Sequence, residues 1–548
     1  MAGTVEYDVV VVGAGAAGMT AALTTARSGL NTVLVEKASV YGGSTARSGA
    51  GIWVPNNDVL LAAGVPDTFG KADTYMAAVV GPEVSAARRQ AFLTYGPRAI
   101  AYLQKWTPLR FAWMEGYPDY YPELPGGMPD GRSIEPLALD ANVLGGELAH
   151  LNGPYQASPP GTVVYTVDYR WLSLVARHPR GLAVATEIVW RYLQLAAQGK
   201  KPVTMGQALA GGLRAGLIAA GVPVRLNTPL LDLHSEDGRV AGVLTRHDGA
   251  ETLIRARRAV VVASGGFEHN ERMRKQFQAA PIGTDWTIGA DSNTGDGIEA
   301  GQRAGAALGL MDDAWWGPMI PLPGEPWFCL SERTLPGTIF VNQAGKRFVN
   351  EAAPYSDVVH TMYEKGHIPC WMITDQDYRN RYLFKDLAPL LPYPADWYSS
   401  GALVKDWTIG GLAAKIGVPA AALSATISRF NAQARAGRDP DFHRGDSAYD
   451  AYFADPANRP SPCLAPIWLP PYYAFTIVPG DLGTKGGLTT DARARVLRPD
   501  GTVIGGLYAA GNASAAVMGH SYAGAGSTLG PAMTFGHVAG LDIAATAR

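Results

Sequence analysis

The sequence predicts an α/β protein in which both ends of the chain build one parallel-sheet domain and the middle forms an inserted α+β domain. Three observations predict it. A β-branched run near the N-terminus leads into a glycine-rich turn and a helical stretch, and small-residue strand ends follow at residues 256–266 and 506–512. The middle is richer in Pro, Trp and Tyr and has no second fingerprint of this kind. We therefore expect residues 1–313 and 484–548 to share a domain and residues 314–483 to form the insert.

Composition excludes several classes of protein. A length of 548 residues favours more than one hydrophobic core. Charged residues make up 17% and the formal net charge is -2, so nucleic acid is not expected as a partner. Three scattered cysteines argue against a disulfide framework or a thiolate metal site, and the histidines have no ligand spacing, so we expect no metal. Without an export signal or a long apolar run, we expect a cytoplasmic protein.

The N-terminal segment has the spacing of a Rossmann-type βαβ unit. A strand at residues 7–12, GxGxxG, a helix at residues 19–28 and a strand at residues 31–35 come in that order. The first glycine makes the tight turn, the second lets backbone approach a pyrophosphate and the third lets helix and strand pack. An acidic residue at the end of the second strand suits a ribose and disfavours NADP. The candidate dinucleotide-binding residues are Gly13, Gly15, Ala16, Ala17, Gly18, Glu36 and Lys37. Gly-rich turns also close ordinary βα units, but here every part of the unit agrees.

A second small-residue segment follows directly, at residues 42–51. It resembles the GG(S/T)-type loop of flavoproteins of the succinate dehydrogenase and fumarate reductase group, which implies FAD rather than NAD. The alternative is a flexible surface loop. The segment contains no histidine, where members of that group with covalent flavin place theirs, so noncovalent FAD is expected. The candidate residues are Gly42, Gly43, Ser44, Thr45, Ser48, Gly49, Ala50 and Gly51.

Two later segments resemble places where the flavin domain of that group returns to its cofactor. The first is the strand end with Ala263 and Gly265, and the second is GLYAAGN, which ends at Gly511 and Asn512. A C-terminal helix with Pro near its start follows Leu529, and its positive end could face the flavin. We therefore expect a Rossmann-type FAD-binding domain whose inserted domain caps the flavin, with substrate between the two.

The substrate predicted from the sequence is uncharged. Fumarate reductases of the group hold a dicarboxylate with His and Arg in HTMGG and NRLGG-like motifs. The corresponding stretches here are GTKGG at residues 483–487 and STLGP at residues 527–531, and both charged anchors are missing. Two buried carboxylates without cations would be costly. The lysine in the first stretch, Lys485, is expected to point outward from a tight turn and to have no role.

Four blocks then resemble the 3-ketosteroid Δ1-dehydrogenases, nearly end to end: YPDYY at residues 117–121, FVNEAAPY at residues 348–355, GDLGTKGGL at residues 480–488 and SYAGAG at residues 521–526. The resemblance implies desaturation of C1–C2 in a 3-oxosteroid, with a proton leaving C2 and a hydride leaving C1 for flavin N5. It also implies an external electron acceptor, a quinone or similar.

The same resemblance implies roles for four residues. The Tyr522 hydroxyl and the Gly526 amide would hold the C3 oxygen, and Tyr355 would be the base, with Tyr120 hydrogen-bonded to its phenol. Most of the 24 tyrosines of a chain like this are wall or core residues, so only motif context selects these. Consecutive side chains in an extended segment face opposite ways, so only one of Tyr120 and Tyr121 can point into the pocket, and the resemblance favours Tyr120.

Relative to shorter members of the family, this chain has extra residues near 175–205, including the stretch 181–196. Val184, Ile188, Val189, Tyr192 and Leu195 share a helical face, with Arg177, Arg180, Lys200 and Lys201 beside it. Peripheral membrane contact through this helix is one hypothesis, and packing on the protein or on a second subunit is the other.

Two rival functions stay open. One is a related enzyme that dehydrogenates another bond, such as C4–C5 of a 5α-3-oxosteroid. The other is a flavin-bearing or sterol-binding electron-transfer subunit without chemistry of its own.

Overall fold

The computed structural model describes residues 4–247 and 249–546. The elements up to residue 113 are β1 (Thr4–Val12), α1 (Ala16–Arg27), β2 (Thr32–Val35), α2 (Gly43–Arg47), β3 (Ile52–Trp53), α3 (Asp58–Ala62), α4 (Phe69–Val80), α5 (Ala86–Trp106) and β4 (Phe111–Trp113). The next are β5 (Ser133–Pro136), β6 (Leu139–Asp140), a 3-10 helix (Ala141–His150), α6 (Asp168–Leu172), α7 (Pro179–Ala197), β7 (Pro202–Val203), α8 (Met205–Ala219), β8 (Val224–Arg225), β9 (Leu230–Glu236), β10 (Arg239–His247) and β11 (Ala250–Val262).

The second half continues the alternation of helices and strands. Its elements are α9 (Glu271–Phe277), α10 (Asp296–Arg303), β12 (Leu308–Gly309), β13 (Ala314–Ile320), β14 (Trp327–Phe328), β15 (Ile339–Val341), α11 (Tyr355–Glu364), β16 (Cys370–Asp375), α12 (Gln376–Arg381), α13 (Ala395–Ser399), β17 (Leu403–Asp406), α14 (Ile409–Ile416), α15 (Ala420–Ala436), α16 (Ala448–Tyr452), β18 (Tyr472–Thr484) and β19 (Gly487–Leu488). The last are β20 (Arg495–Leu497), β21 (Val503–Ala509), a 3-10 helix (Gly511–Ala513) and α17 (Leu529–Ala545).

The α/β fold class predicted from the sequence is confirmed. The central sheet has the order β20-β21-β11-β1-β2-β8, and β10 and β9 extend it from β11. Its middle strands are parallel, with Val10 of β1 opposite Val260 and Val33, and β11 is parallel to β21. The C-terminal strands β20 and β21 therefore complete a sheet that the N-terminus begins.

The β-branched run of β1 is explained by burial on both faces of this sheet. Val9 and Val11 belong to the core beneath α1, α5 and α17, whereas Val10 and Val12 belong to the core on the opposite face. Because side chains alternate along a strand, a run without polar residues is what a doubly covered parallel strand requires. The helix α1 starts at Ala16, three residues earlier than predicted, because Gly15 is its N-cap.

A second, antiparallel sheet lies between Ala314 and Thr484. Its order is β14-β13-β18-β16-β15, with β17 also paired to β18. One face carries Phe340, Tyr473 and Phe475 in one apolar core, and the other carries Ile339 and Ala474 in another. The helix α11 packs on β13, which brings the N-terminus of α11 towards the first sheet.

The helix predicted at residues 181–196 is α7, and part of the predicted apolar face is buried. Val184 and Ile188 pack on Val164 and Met205 in a small core of their own. The apolar side chains that α7 leaves exposed are Leu182, Val189, Trp190 and Leu193, with exposed fractions of 63, 41, 58 and 51%. Of the predicted face, therefore, Val184 and Ile188 belong to the protein core. Across residues 4–247 and 249–546, no helix combines the length and the apolar character needed to cross a bilayer.

Candidate active site

A cavity of about 700 Å³ lies between the glycine-rich turns of the first sheet and the edge of the second. Twenty of the predicted site residues line it: Gly13, Gly15, Ala16, Ala17, Glu36, Lys37, Gly43, Ser44, Thr45, Ser48, Gly49, Ala50, Gly51, Ala263, Gly265, Gly511, Asn512, Tyr522, Gly526 and Leu529. Four predicted residues are outside this lining. Gly18 and Gly42 support the turns from behind, and Tyr120 and Tyr355 pack against Tyr522.

The first glycine-rich turn has the shape that a dinucleotide needs. Gly13 has φ +105°, and a Cβ there would collide with the backbone of Ala263. A Cβ on Gly18 would collide with the carbonyl oxygen of Gly13. Gly15 differs, because a Cβ there would meet only the Thr45 hydroxyl, at 3.7 Å, and would otherwise project into the cavity. Backbone can thus approach a pyrophosphate at Gly15, where α1 begins.

Glu36 is held in place by this turn. Its Oε2 accepts a hydrogen bond from the Ala14 amide at 2.8 Å, and its Oε1 accepts one from the Ala38 amide at 3.0 Å. Burial raises the pKa of the carboxyl group, while these amides oppose the shift. Free lone pairs on both oxygens suit ribose hydroxyls. Lys37 lines the cavity, but its ammonium is bound by Asp296 at 2.8 Å.

The loop at residues 42–51 is braced by groups that the sequence analysis did not single out. The Ser44 hydroxyl accepts hydrogen bonds from the Ala290 amide and from Asn293, both at 2.9 Å. Asn293 also donates to Glu268 at 2.6 Å. Burial is the main cause that raises the pKa of Glu268, to about 7. No short motif marks Glu268, Ala290 or Asn293. They lie in loops that follow the strand end at Gly265, at different distances along the chain.

The predicted returns of the chain to the cofactor meet at the same cavity. Gly265 has φ +76°, and a Cβ there would collide with Asn293. Asn512 accepts a hydrogen bond from the Trp315 indole at 3.0 Å. Leu529 is the first residue of α17, and Leu529 and Ala532 line the cavity, so the positive end of this helix faces it.

Three predicted tyrosines form a buried cluster beside the cavity. The Tyr120 hydroxyl donates to the Tyr355 hydroxyl at 3.0 Å. The ring of Tyr522 lies 5.1 Å from that of Tyr120 and 5.2 Å from that of Tyr355, between centroids. Phe328, a cavity residue, lies 5.1 Å from Tyr355. Tyr355 therefore lies just behind the cavity wall that Tyr522 and Phe328 form.

Backbone contacts fix the block at residues 117–121 to the block at residues 521–526. The Tyr120 amide donates to the Ala523 carbonyl at 3.0 Å. Asp119, with no exposed side-chain surface, accepts from the Trp53 indole at 2.9 Å and pairs with Arg132 at 2.9 Å. Burial raises the pKa of Asp119 to about 6, although Arg132 opposes the shift. Two motifs four hundred residues apart in the chain thus act as one structural unit.

Gly526 is a position where only glycine fits. Its φ is +96°, and a Cβ there would collide with the backbone of Gly51 and Ile52. The Trp53 amide donates to the Gly526 carbonyl at 3.1 Å. The Gly526 amide and the hydroxyls of Tyr355 and Thr528 act on the Tyr522 phenol, each opposing the rise of its pKa that burial causes. An amide and a phenol therefore meet at one point on the cavity wall.

Tyr120 and Tyr121 face different partners. Tyr120 points into the cluster, whereas the Tyr121 hydroxyl donates to Asp357 Oδ1 at 2.8 Å. Both side chains reach the first turn of α11, where Tyr355 is the first residue.

The expectation for Lys485 is wrong. The side chain is fully buried, its Nζ pairs with Asp313 Oδ2 at 3.0 Å, and it lies 4.8 Å from the ring centroid of Trp315. The surrounding glycines allow close packing rather than an outward turn: a Cβ on Gly486 would collide with the backbone of Leu310 and Met311. Trp315, a residue that sequence reasoning missed, connects Asn512 to Tyr522, whose ring lies 5.1 Å away.

Within the described ranges, no three His, Cys, Asp or Glu side chains converge as a metal site would require. The three cysteines are buried and carry no disulfide.

Comparison with known proteins places the site in context. The model of the family described as "FAD binding domain" matches residues 8–529. A 3-oxosteroid 1-dehydrogenase of Mycolicibacterium smegmatis is 54% identical over 99% of this chain and 98% of its own length, and one of Mycobacterium tuberculosis is 54% identical over 98% of each. The crystal structure of 3-ketosteroid Δ1-dehydrogenase from Sterolibacterium denitrificans, in complex with 1,4-androstadiene-3,17-dione, is 40% identical with a TM-score of 0.94. It covers 99% of this chain and 100% of its own.

Proposed function

This chain belongs to the 3-oxosteroid 1-dehydrogenase family of FAD-binding proteins, and from this premise we propose that it introduces the C1–C2 double bond into 3-oxosteroids. The observation that carries the proposal is the meeting of the Tyr120, Tyr355 and Tyr522 phenols with the Gly526 amide at one wall of the cavity. This arrangement offers a base and an oxyanion site without a charged anchor.

The residues present fit FAD. The turn at Gly13 and Gly15 would take the pyrophosphate, Glu36 would take a ribose, and α17 would face the flavin. Bound there, FAD supplies an acceptor for the hydride that leaves C1. Among residues 4–247 and 249–546, the cavity lining includes neither His nor Cys, which supports noncovalent binding. An external acceptor, a quinone or similar, would then reoxidise the cofactor.

Tyr355 is the proposed base for the C2 proton. Burial and the neighbouring tyrosines raise the pKa of its phenol well above the ordinary value, so the phenol needs help to give up its own proton and act as a base. Two features help. Tyr120 donates a hydrogen bond to the phenol oxygen, and the first turn of a ten-residue helix places positive potential beside it.

Tyr522 and Gly526 are the proposed donors to the C3 carbonyl oxygen. Proton loss from C2 makes that oxygen negative, and donors already aimed at it need no reorganisation. Backbone contacts with Gly51 and Trp53 hold Gly526 in place, so the amide is fixed relative to the proposed cofactor loop.

An uncharged, flat substrate fits the remaining lining. Near the tyrosines the wall is formed by Phe328, Leu330, Phe453 and Leu482. The lining cation Arg47 already binds Glu325 and the Ile288 carbonyl, so it is not free for a carboxylate. We propose that residues 314–483 act as the capping domain, because they supply Phe328 and Leu482 to this wall and place Tyr355 directly behind it.

Anaerobic mixing with androst-4-ene-3,17-dione tests the proposed function. We expect the flavin absorbance to bleach while one equivalent of the 1,4-diene forms, two mass units lighter than the substrate by loss of two hydrogens. A C4–C5 dehydrogenase would instead require a 5α-3-oxosteroid without a double bond in the ring. An electron-transfer or sterol-binding subunit would bind the steroid and keep an oxidised spectrum. Either result would overturn the proposal.

A peripheral membrane contact through α7 is a separate proposal. The exposed Leu182, Val189, Trp190 and Leu193 lie on one helix, and exposed Lys200 and Lys201 follow its end. Tyr192, on the same helix, lines the cavity, so this surface adjoins the route to the site. We propose that the helix lies on anionic bilayers from the cytoplasmic side, a reducing compartment that the three unpaired cysteines suit.

Flotation with anionic lipid vesicles tests this contact. Trp190→Ser combined with Leu193→Ser removes large apolar anchors and should move the protein from the vesicle fraction to the supernatant. Trp407→Ser, at another exposed tryptophan, is the matched control and should leave flotation unchanged. Equal partitioning of the two variants, or no flotation of the wild type, would contradict the proposal.

A further inference from the structure

Arg333 is a buried cation close to the proposed base. It lies between β14 and β15, with no exposed surface. Its Nη1 donates to the Glu351 carbonyl and, at 2.8 Å, to the Ala353 carbonyl. These carbonyls belong to the segment that leads directly into Tyr355. The guanidinium therefore clamps the backbone that positions the base.

Within residues 4–247 and 249–546, no carboxylate contacts Arg333 directly, so no ion pair neutralises its charge. Three other buried arginines have such contacts: Arg132 with Asp67 and Asp119, Arg274 with Asp481, and Arg444 with Glu351. Buried Arg379 resembles Arg333 in contacting backbone carbonyls, but it does so away from the tyrosine cluster. By contrast, Nε and Nη2 of Arg333 have no hydrogen-bond partner, and it is the one arginine of residues 4–247 and 249–546 with two such buried nitrogens. An unpaired buried charge is costly, which makes a functional reason for it worth seeking.

The charge of Arg333 acts on the tyrosine cluster and on two buried carboxyl groups beside it, since it opposes the rise in the pKa of Asp357 and of Asp450 that burial causes. The Tyr449 phenol is buried, has no hydrogen-bond partner, and its ring lies 4.7 Å from that of Tyr120. Burial is the main cause that raises the pKa values of Tyr449 and Tyr117, and the positive charge of Arg333 opposes both shifts.

The acidic groups around the cluster have other partners. Glu351 is bound by Arg347 and Arg444. Asp357 accepts the Tyr121 hydroxyl. Asp450 accepts from Asn350 at 3.0 Å and from the Gly445 amide at 2.9 Å. The phenols of Tyr117, Tyr120, Tyr355, Tyr449 and Tyr522 belong to the titratable set around the base. Tyr452 extends the set, because it packs on Tyr117 and lies under the Arg170 guanidinium. Arg333 is the cation of this set that binds the backbone leading into Tyr355.

We propose that Arg333 is a positioning residue for the base: it clamps the backbone before Tyr355 and places a positive charge without a carboxylate partner beside the tyrosine cluster. The proposal rests on the proposed function, because it assigns a task to Tyr355. A nearby positive charge stabilises an anion and so lowers the pH at which the base becomes active.

The test is the pH dependence of flavin reduction in anaerobic single turnovers with androst-4-ene-3,17-dione. The neutral variant Arg333→Gln keeps an N–H donor for the carbonyls. In this variant we expect the rising limb of the plot of rate against pH to shift by about one unit towards higher pH. The rate near neutral pH then falls about tenfold and recovers at high pH. Arg333→Lys, which keeps the charge, should move the limb less.

Two further variants separate charge from folding. Arg333→Met is a second neutral variant should Arg333→Gln fold poorly, because it fills similar volume without an unpaired donor. Arg444→Gln makes the same chemical change at an equally buried arginine, and it should lower the thermal midpoint without moving the limb.

A loss of rate that is equal at every pH, or an unmoved limb in the neutral variants, would overturn the role of Arg333 while leaving the proposed function intact. A wild type whose flavin no 3-oxosteroid reduces would instead overturn the proposed function, and this inference with it.

Discussion

At the level of single residues, the candidate site depends on the Tyr522 side chain and on the absence of a side chain at Gly526. Tyr522 offers a hydroxyl and Gly526 an amide to the same point, and Gly526 can do so only because backbone at Gly51 and Ile52 occupies the space of a Cβ. In the proposed function, Tyr522 supplies the chemistry and Gly526 supplies a close approach. Substitutions at the two positions should therefore fail in different ways.

Tyr522→Phe should keep the fold and lose transition-state stabilisation. Removing one preorganised donor to an oxyanion typically lowers turnover about 100- to 1000-fold. We expect kcat to fall by that factor while the thermal midpoint changes little, as measured by steady-state kinetics and calorimetry. Tyr363→Phe, whose hydroxyl only contacts the Pro281 carbonyl, is the control. Similar losses in both variants would remove Tyr522 from the oxyanion site.

Gly526→Ala should instead damage the structure. The new methyl group collides with backbone at a positive φ, so we expect a loss of about 2–4 kcal/mol in the free energy of unfolding, and weaker flavin retention. Urea unfolding and the flavin content of the purified protein measure both. Gly410→Ala adds the same methyl group in α14, where nothing lies within 4 Å, and should have little effect. A fully stable Gly526→Ala protein would contradict the described contact.

Sequence reasoning identified the tyrosines but missed their surroundings, for a physical reason. Tyr120, Tyr355 and Tyr522 stand in short motifs, so local residue order marks them. Trp315 and Arg333 act through packing between segments far apart in the chain, which leaves no local signal. Lys485 shows the same limit, because neighbouring glycines were interpreted as a solvent-facing turn, whereas they permit dense packing around a buried ammonium.

At the scale of elements, β13 and β18 bring the Lys485 ion pair together. These strands pair antiparallel with Ala314 opposite Thr484, so Asp313 and Lys485 meet just beyond the pair. Burial alone would raise the pKa of Asp313, but Lys485 and His360 outweigh it and hold the value at about 2. The pair therefore closes the end of the second sheet beneath Trp315.

Lys485→Met should destabilise the protein in a pH-dependent way. It leaves the buried Asp313 carboxylate without its ammonium partner, although His360 and the Trp316 indole still contact it, so we expect a loss of up to about 3–5 kcal/mol near neutral pH. The folded pKa of Asp313 lies below the ordinary carboxylate value of about 4, so its contribution is complete above that pH and is lost as the pH falls towards 2. In the variant this pKa rises, and the loss at neutral pH shrinks on acidification.

Urea unfolding across this pH range is the measurement. Adding Asp313→Asn should recover much of the loss, because the unpaired charge disappears. Lys415→Met breaks the exposed pair with Asp406 and should change little. A Lys485→Met protein as stable as the wild type would show that the pair is not a structural element of the sheet.

For α7, the sequence predicted the helix boundaries closely, but it did not predict which side of the helix is buried. Periodicity predicted α7, which runs over Pro179–Ala197, but several apolar residues of one helix can face either the core or solvent. Val184 and Ile188 found partners in Val164 and Met205, which a local pattern does not reveal.

At the scale of the whole molecule, the fold brings distant segments to one cavity. The N-terminal turns, the strand end at Ala263, the second sheet and the C-terminal helix α17 all contribute lining residues. The fold class was predictable because β11 and β21, which return the chain to the first sheet, each end in small residues. The path of the chain between these strands was not predictable. Catalysis in this account needs the second sheet to present Tyr355 to the pocket that the first sheet builds.

The proposed function depends above all on the Tyr355 phenol as the group that removes the C2 proton. Anaerobic stopped-flow reduction of the Tyr355→Phe holoenzyme by androst-4-ene-3,17-dione measures this step, with steroid binding followed by flavin spectral perturbation. We predict steroid affinity near that of the wild type and flavin reduction slowed about 10²- to 10⁴-fold. Reduction at the wild-type rate in Tyr355→Phe would contradict the claim.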